Sequence, residues 1–399
     1  MIALTEEQKI IQQTVREFAR EVVAPKAREI DKSKEFPVDT IRQMAKLSLM
    51  GIPFPDKYGG AGADKLSYII AVEELARACG STSITLAAHT SLGCNPIYMF
   101  GTDDQKKKFL TPLAQGDKVG GLGITEPEAG SDVHGIKTAA QPSKNGYVLN
   151  GAKMFITNAN VGDTFVVAAK DPSFVPTRSV GTTEGKPSSN KYTPISLFIV
   201  ERGYKGFSNG KSEDKMGLRA SDTGELVFQD CFVPGENLLG KRGDGFKYLM
   251  QTLDGGRISI GALALGLAQG AMDKSVAYSK ERKQFGKPIC DFQAVQNMIA
   301  DMAVETEAAR HLVYDAARLY EAGLPFAKES AMAKLFASET AMRVTRNAIQ
   351  ILGGYGYMNE YEVERYYRDA KLCEIGEGTS EIQRIVIARQ VIGTTDTHR

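Results

Sequence analysis

The order of hydrophobic patterns along the chain constrains the fold more than any other feature of the sequence. In the first part, apolar residues recur at helical spacing, as Ile11, Val15 and Phe18 do. In the middle part, short runs rich in Val, Ile, Phe and Thr are separated by Gly, Asn and Pro, which is typical of antiparallel strands. Helical spacing then returns. These patterns predict an α+β chain with an N-terminal α-helical domain, a middle antiparallel β domain and a C-terminal four-helix-bundle domain, at residues 1–118, 119–235 and 236–399.

Local signals predict where individual elements begin and turn. Thr5, with Gln8 three residues later, predicts a capping box at the start of the first helix. Asn150-Gly151, in the run YVLNGAKMFI, predicts a tight hairpin turn because both residue types accept a positive φ. Residues 170–193 contain three prolines and two glycines, so we expect a surface loop between strands. The length of this loop indicates an insertion, to which the sequence assigns no role.

Charge and cysteine usage exclude several classes of protein. The 399 residues include 49 Lys plus Arg and 48 Asp plus Glu, a net charge of +1 that gives no electrostatic basis for binding nucleic acid or an anionic membrane. The longest apolar run, at residues 258–268, is well short of the roughly 18 residues that suggest a membrane span. The five cysteines are scattered without a C-x-x-C pair, which favours reduced thiols. We therefore expect a cytoplasmic protein with no membrane span and no nucleic-acid partner.

Common catalytic and binding motifs are absent from the sequence. There is no Walker A run, no H-E-x-x-H and no G-x-S-x-G, and the four histidines lie too far apart to predict a metal site. The run Gly353-Gly354-Tyr355-Gly356 lacks the G-x-G-x-x-G spacing and follows a predicted helix, which argues against a Rossmann site. Three polar, glycine-rich stretches remain as candidates for chemistry.

The first two stretches have the composition of anion or cofactor loops. In GLGITEPEAGSD, at 121–132, the glycines let backbone amides approach a ligand, and Thr125 and Ser131 add hydroxyl groups. A plain loop between strands explains the same composition, so both interpretations stay open. The second stretch, ERKQFG at 281–286, lies at a predicted helix end. Its cations either complement the helix dipole or bind an anion.

The third stretch, CEIGEGTSEIQ at 373–383, contains an isolated carboxylate. Ser380 and Gln383 predict a capping box, so we expect a helix to begin there and Glu377 to lie in the loop before it. A carboxylate between glycines can reach into a cavity, where desolvation would raise its pKa and make it a usable general base. A solvated loop acid is the alternative interpretation.

Six motifs in this order closely resemble those of the acyl-CoA dehydrogenase family, over essentially the whole chain. They are GITEPEAGSD (123–132), NGAKMFITN (150–158), KMGLRASDTGELVFQDCFVP (215–234), ERKQFGKPI (281–289), QILGGYGY (350–357) and EGTSEIQ (377–383). No single motif is decisive, but six in register are. The resemblance, closest to short-, medium- and branched-chain members, implies an FAD-dependent enzyme that converts an acyl-CoA thioester to the 2-enoyl-CoA.

The same resemblance implies where FAD binds, without a covalent link, between the middle β domain and the C-terminal helices. Within one subunit the flavin would contact Leu122, Ile124, Thr125, Ser131, Phe155, Thr157, Thr379 and Glu381. The FAD of a neighbouring subunit would be reached by Arg282, Phe285, Gln293, Gln350, Gly353 and Gly354, which implies a homotetramer. The planar guanidinium of Arg282 suits the pyrophosphate, because it pairs bidentately with phosphate oxygens.

Glu377 matches the position of the family's catalytic base, which removes the α proton while a hydride leaves the β carbon for flavin N5. Its backbone N–H would help to stabilise the enolate-like charge on the thioester carbonyl. The resemblance also implies substrate contacts by Ser131, Asp254, Arg257 and Gly378, although Asp254 and Arg257 could instead be a helix-stabilising polar pair. Some branches place the base just before the Arg of "LDGGR"; here Gly256 stands at that position, which favours Glu377.

One departure from the family pattern bears on the substrate. Many straight-chain members carry Tyr directly before the base, whereas this chain has Gly376, so we predict a wider pocket for branched, cyclic or aryl-bearing acyl groups. The competing interpretation is that another side chain fills the space. An electron-transferring flavoprotein is the implied electron acceptor. Alternatives on the same fold are an acyl-CoA oxidase, a decarboxylating, glutaryl-CoA-like dicarboxyl-CoA dehydrogenase, and a non-catalytic assembly subunit.

Overall fold

A computed structural model describes residues 3–174 and 193–393 of the chain. The role of the 170–193 loop stays without an assignment, because residues 175–192 lie outside the described part. The chain groups into two compact units. The helical unit comprises Met1–Ala87, Asp214–Ser221 and Leu253–Arg399, and the sheet unit comprises Ala88–Glu213 and Asp222–Thr252.

The N-terminal third is helical, as the pattern predicts. Thr5 forms the capping box with Gln8: each side chain bonds the other residue's backbone N–H, at 3.2 and 3.0 Å. The helices are α1 (Glu6–Phe18), α2 (Ala24–Ser33), α3 (Val38–Lys46), α4 (Lys65–Ala78), α5 (Gly80–Ala88), α6 (Asn95–Phe100), α7 (Asp103–Gln105) and α8 (Thr111–Ala114). Short π-helical turns at Ala19–Val23, His89–Cys94 and Lys106–Leu110 link some of these helices.

Long helices return after the sheet. They are α9 (Gly245–Glu281), α10 (Gln293–Glu321), α11 (Ala327–Leu352), α12 (Val363–Ile375) and α13 (Ser380–Ile392). Buried residues of α9, α10, α11 and α12 share one hydrophobic core, which confirms the C-terminal helical arrangement. The same core includes residues of α1 and α4, so the N-terminal helices pack with the C-terminal ones in the helical unit.

The sheet unit is built on one mostly antiparallel sheet. Among the described residues its strands are β1 (Gly120–Gly123), β2 (Ala139–Ser143), β3 (Gly146–Thr157), β4 (Thr164–Lys170), β5 (Ile195–Glu201), β6 (Phe207–Ser212), β7 (Thr223–Pro234) and β8 (Leu238–Leu239). The order is β6-β7-β3-β2-β4-β5-β8, with β1 paired to β4. The pairs β1–β4 and β2–β4 are parallel, because the β2–β3 hairpin carries the chain across between β1 and β4. A small hairpin of β9 (Lys283–Gln284) and β10 (Lys287–Pro288) follows α9.

The hairpin turn predicted at Asn150-Gly151 is wrong. Both residues lie inside the continuous strand β3, and the turn falls at Lys144-Asn145, since Ser143 pairs with Gly146. The Asn150 side chain makes two hydrogen bonds to Asp230 of β7. Asn150 Nδ2 donates to Asp230 Oδ1 at 3.1 Å, and Asn150 Oδ1 accepts from the Asp230 backbone N–H at 2.8 Å. The glycine sits at a bulge with φ +142°. An Asn-Gly pair therefore marks a strand irregularity here.

All five cysteines are free thiols. Cys79, Cys94, Cys231 and Cys373 are buried, whereas Cys290 is half-buried after the β9–β10 hairpin. Over 3–174 and 193–393, no helix is long and apolar enough to cross a membrane, and no group of His, Cys, Asp or Glu is arranged to hold a metal ion.

Candidate active site

Glu377 lies in a tightly held turn between α12 and α13 of the helical unit. Its backbone is left-handed, with φ +54°, and that of Gly378 is also left-handed, with φ +94°. Two side chains donate to the Gly378 carbonyl: Lys334 Nζ at 2.6 Å and Gln383 Nε2 at 2.8 Å. A Cβ at Gly378 would come within 2.7 Å of Gln383 Nε2, so this turn requires glycine.

The helix after the turn begins as expected, but its cap differs from the prediction. Thr379, not Ser380, is the N-cap, and its Oγ1 accepts from the Ile382 N–H at 3.4 Å. Gln383 is fully buried and donates to the carbonyls of the preceding turn, so it completes no capping box. Thr379 and Glu381 thus stand at the N-terminus of α13.

The Glu377 carboxyl group is buried and has an unpaired oxygen. Its Oε2 atom is buried and makes no hydrogen bond within the described residues. Burial raises the pKa of Glu377 to about 7, and the charges of Lys334, Arg257 and Lys65 oppose that rise. A carboxyl group that changes protonation near pH 7 and has an unpaired oxygen can accept a proton from carbon. This environment contradicts a solvated loop acid.

Three buried basic side chains act on Glu377, and two of them were not predicted. Arg257, on α9, forms an ion pair with Asp254 at 2.5 Å, and its Nε has no partner among the described residues. Lys334 lies on α11 and Lys65 at the start of α4; burial lowers the pKa of each to about 8. Lys65 Nζ lies over the rings of two tyrosines, at 4.7 and 4.8 Å from their centres. The sequence signal for Lys334 is a single charge inside the apolar run AMAKLFA.

Glycines occupy the position before Glu377 and the position predicted for an alternative base. At Gly376, the nearest atoms to an added Cβ all belong to Leu372, at ordinary contact distances of 3.5 to 3.8 Å. Gly256, where a rival base could stand, lies inside α9 and its carbonyl accepts from Ser259 Oγ. No side chain is therefore present at either position to compete with Glu377.

In the sheet unit, most of the predicted flavin residues lie where β1 ends and β3 bends. The Met154 N–H donates to the Thr125 carbonyl at 2.8 Å, which brings the loop after β1 beside Phe155. Phe155 sits at a bulge with φ +59°, and its side chain is 59% exposed. Leu122 is buried, Ile124, Thr125 and Thr157 are half-buried, and Ser131 is exposed further along the loop.

A buried ion pair anchors the loop that follows β1. Lys153 Nζ donates to Glu126 Oε1 at 2.7 Å and to the Ile124 carbonyl at 3.2 Å, and the Lys153 side chain is fully buried. Glu126 also accepts from the backbone N–H groups of Lys137 and Thr138. Burial alone would raise the pKa of Glu126, but Lys153 and these hydrogen bonds bring it below its ordinary value. Neither residue was predicted as part of the site.

The loop and bulge fit a flat ring with a polar edge. The Phe155 ring is exposed and offers an apolar face, and its left-handed backbone conformation is one that costs an aromatic residue free energy. The half-buried Thr125 and Thr157 belong to the same loop and strand and carry hydroxyl groups. These groups match the face and edge of an isoalloxazine ring.

The remaining predicted cofactor residues form an exposed group on the helical unit. Arg282 directly follows α9, and its guanidinium lies 5.4 Å from the centre of the Tyr355 ring, so the structure brings it next to the turn that begins at Gly353-Gly354. Phe285 is 93% exposed, with φ +51° and its edge against Phe292. Gln293 and Gln350 are exposed on α10 and α11.

Three family models match the chain in succession. They are described as acyl-CoA dehydrogenase N-terminal domain over residues 5–117, middle domain over 121–231 and C-terminal domain over 243–392. Together they cover most of the chain.

Individual relatives are similar over nearly the whole of this chain. A short-chain specific acyl-CoA dehydrogenase from Clostridium acetobutylicum is 52% identical over 388 residues, covering 97% of this chain and 98% of the relative. The solved structure of butyryl-CoA dehydrogenase from Megasphaera elsdenii has a TM-score of 0.92 and 46% identity, covering 98% of this chain and 100% of that one. An acyl-CoA dehydrogenase complexed with FAD from Bacillus anthracis has a TM-score of 0.89 and 36% identity, covering 98% and 67%.

Proposed function

The chain belongs to the acyl-CoA dehydrogenase family, and from this premise we propose that Glu377 is the base of an FAD-dependent α,β-dehydrogenation of acyl-CoA thioesters. FAD, when bound, accepts the hydride that leaves the β carbon. Glu377 takes the α proton on its unpaired Oε2, and the backbone N–H of Glu377 stabilises negative charge on the thioester oxygen. The observation that carries this proposal is the buried, unpaired carboxylate oxygen on a turn held by two side-chain hydrogen bonds.

The residues that hold FAD are proposed from the fit of the loop and bulge in the sheet unit. Phe155 packs on the ring, Thr125 and Thr157 bond its edge, and Leu122, Ile124 and Ser131 complete the contact. The exposed group on the helical unit, Arg282, Phe285, Gln293, Gln350, Gly353 and Gly354, reaches the FAD of a neighbouring subunit in a homotetramer. Thr379 and Glu381 complete the site, and Ser131, Asp254, Arg257 and Gly378 contact the substrate.

The substrate is proposed to be an acyl-CoA with a short chain. Relatives with near-complete coverage are named short-chain specific or butyryl-CoA dehydrogenases. Gly376 places no side chain directly before the proposed base, and this supports a pocket that accepts a branch near the reacting carbons. Comparing kcat/KM on butyryl-CoA with that on branched or ring-bearing thioesters decides this point. A sharp preference for unbranched chains of four to eight carbons would contradict the wide pocket.

Electrons are proposed to leave through an electron-transferring flavoprotein, with the enzyme in the cytoplasm. An acyl-CoA oxidase would instead consume oxygen and form peroxide, and a dicarboxyl-CoA dehydrogenase would release carbon dioxide. Measuring both products during turnover separates these alternatives from the proposed function.

Anaerobic addition of butyryl-CoA tests the base directly. In the wild-type enzyme the flavin absorbance is expected to bleach. In Glu377→Gln, FAD content is expected to stay the same while bleaching is lost, because an amide cannot accept the α proton. If Glu377→Gln still bleaches, Glu377 is not the base. If the wild type itself never bleaches on any thioester, the chain is a non-catalytic subunit.

A further inference from the structure

Lys334 is a buried ammonium group without a carboxylate partner. It lies on α11 with its side chain fully buried, and none of the ion pairs in the described part of the chain includes it. Its hydrogen bond goes from Nζ to the Gly378 carbonyl at 2.6 Å. Burying a charge is unfavourable unless another charge or a strong hydrogen bond compensates for it. A charge in this position therefore needs a reason beyond packing.

Holding the turn does not by itself require that charge. Gln383 Nε2 donates to the same Gly378 carbonyl at 2.8 Å, so a neutral side chain already fixes the backbone. Lys334 differs from Gln383 because it also brings a positive charge close to Glu377, the residue before Gly378. Of the cations that act on Glu377, Lys334 has the largest influence and is the one bonded to the turn itself.

We propose that Lys334 is a positioning residue that favours the ionised form of Glu377 through its charge, while its bond to Gly378 fixes where the carboxylate lies. Lys334 itself contacts no reacting atom in this assignment. The inference rests on the proposed function, because it presupposes that Glu377 is the base.

The other charged groups near Glu377 are less suited to this task. Arg257, from α9, also acts on Glu377, but its charge is shared with Asp254. Lys65, at the start of α4, acts on Glu377 more weakly and also on Glu321 of α10. Lys334 in turn lies near Cys373 and Glu374 of α12 and near Arg257. Removing the charge of Lys334 therefore leaves two cations near the base, so its effect should be a shift and not a loss of ionisation.

The dependence of kcat/KM on pH separates a charge effect from a packing effect. Lys334→Met keeps the length of the side chain and leaves the Gly378 carbonyl bonded by Gln383, so the turn is expected to persist. The acidic limb of the profile should then move to higher pH by about one unit, since a nearby opposite charge lowers a carboxyl pKa by about that much or more. Lys334→Arg keeps the charge and should keep the wild-type limb.

Gln383→Leu is the matched control, because it removes the other hydrogen bond to Gly378 and no charge. It is expected to lower kcat without moving the limb. FAD content and circular dichroism of each holoenzyme verify that the variants are folded. The proposal is overturned if Lys334→Met leaves the limb in place, or if Gln383→Leu moves it equally. If the proposed function itself is wrong, the result is a different one: flavin bleaching persists in Glu377→Gln.

Discussion

The Glu377 carboxyl group must lose its proton in surroundings that favour the neutral form. Its pKa is raised from 4.5 to about 7 by burial, so at low pH the group is protonated and cannot serve as the proposed base. We expect kcat/KM to rise about tenfold per pH unit below pH 7 and to level off above it. Steady-state rates on butyryl-CoA between pH 5 and 9 measure this. A profile that is flat across pH 6 to 8 would contradict the raised pKa.

Gly378 provides a second test at the scale of one residue. Gly378→Ala forces a Cβ to within 2.7 Å of Gln383 Nε2 at φ +94°, whereas Gly62→Ala, at φ +70°, meets nothing within 4 Å. Both variants carry the cost of a left-handed alanine, about 1–2 kcal/mol. Only Gly378→Ala should lose more stability than that and also lose flavin bleaching. Thermal unfolding and anaerobic bleaching of the two variants, side by side, make the comparison.

Among the structural elements, the loop after β1 depends on the ion pair beneath it. Lys153→Met leaves the buried Glu126 carboxylate without its ammonium partner, which should cost about 3–5 kcal/mol in unfolding free energy. The loop that carries Ile124 and Thr125 then loses a support, so FAD should be retained less well. Denaturant unfolding and the ratio of flavin to protein absorbance report both effects.

The double variant Lys153→Met/Glu126→Gln supplies the control for that prediction. Glu126 accepts the Lys137 and Thr138 N–H groups on different oxygens, so glutamine there keeps one of these bonds and loses the other, but it leaves no unpaired buried charge. Stability should therefore recover in part. If the single and double variants are equally unstable, the loss comes from packing around Lys153 and not from the unpaired charge.

The sequence predicts those elements whose signals act locally. The Thr5–Gln8 capping box and the end of α11 at Gly353 are settled by neighbours within one helical turn. The turn predicted at Asn150-Gly151 fails because a partner 80 residues away, Asp230, decides the conformation. Lys334 and Lys153 are missed for a similar reason: their burial is created by packing between elements that are distant in the chain.

At the scale of the whole molecule, chain order and packing divide the protein differently. The hydrophobic pattern predicts three successive domains, with boundaries at 118 and 235 that stay a prediction. The compact units number two, because α1 and α4 share a core with the C-terminal helices. Periodicity reveals the type of each segment, but it does not reveal which segments pack together.

The proposed homotetramer leads to a prediction about FAD binding between subunits. Arg282→Gln is expected to reduce FAD content at equal protein concentration, because the guanidinium is proposed to bond the pyrophosphate of a neighbouring subunit's FAD. The matched control is Lys287→Gln, which removes an exposed cation from β10, five residues beyond Arg282, and should keep its FAD. Flavin content and native mass of both variants are the measurements. Equal FAD content in the two variants would contradict the role of Arg282.

The distribution of thiols has a practical consequence for following that assembly. Four cysteines are buried, and the half-buried Cys290 lies just after the β9–β10 hairpin, eight residues beyond Arg282. A thiol-reactive dye on the folded protein should therefore attach at one position, beside the surface proposed to meet another subunit. The chain also contains no tryptophan, so flavin and dye emission can be read without indole fluorescence. The native sequence thus carries its own single labelling position for energy-transfer measurements between subunits.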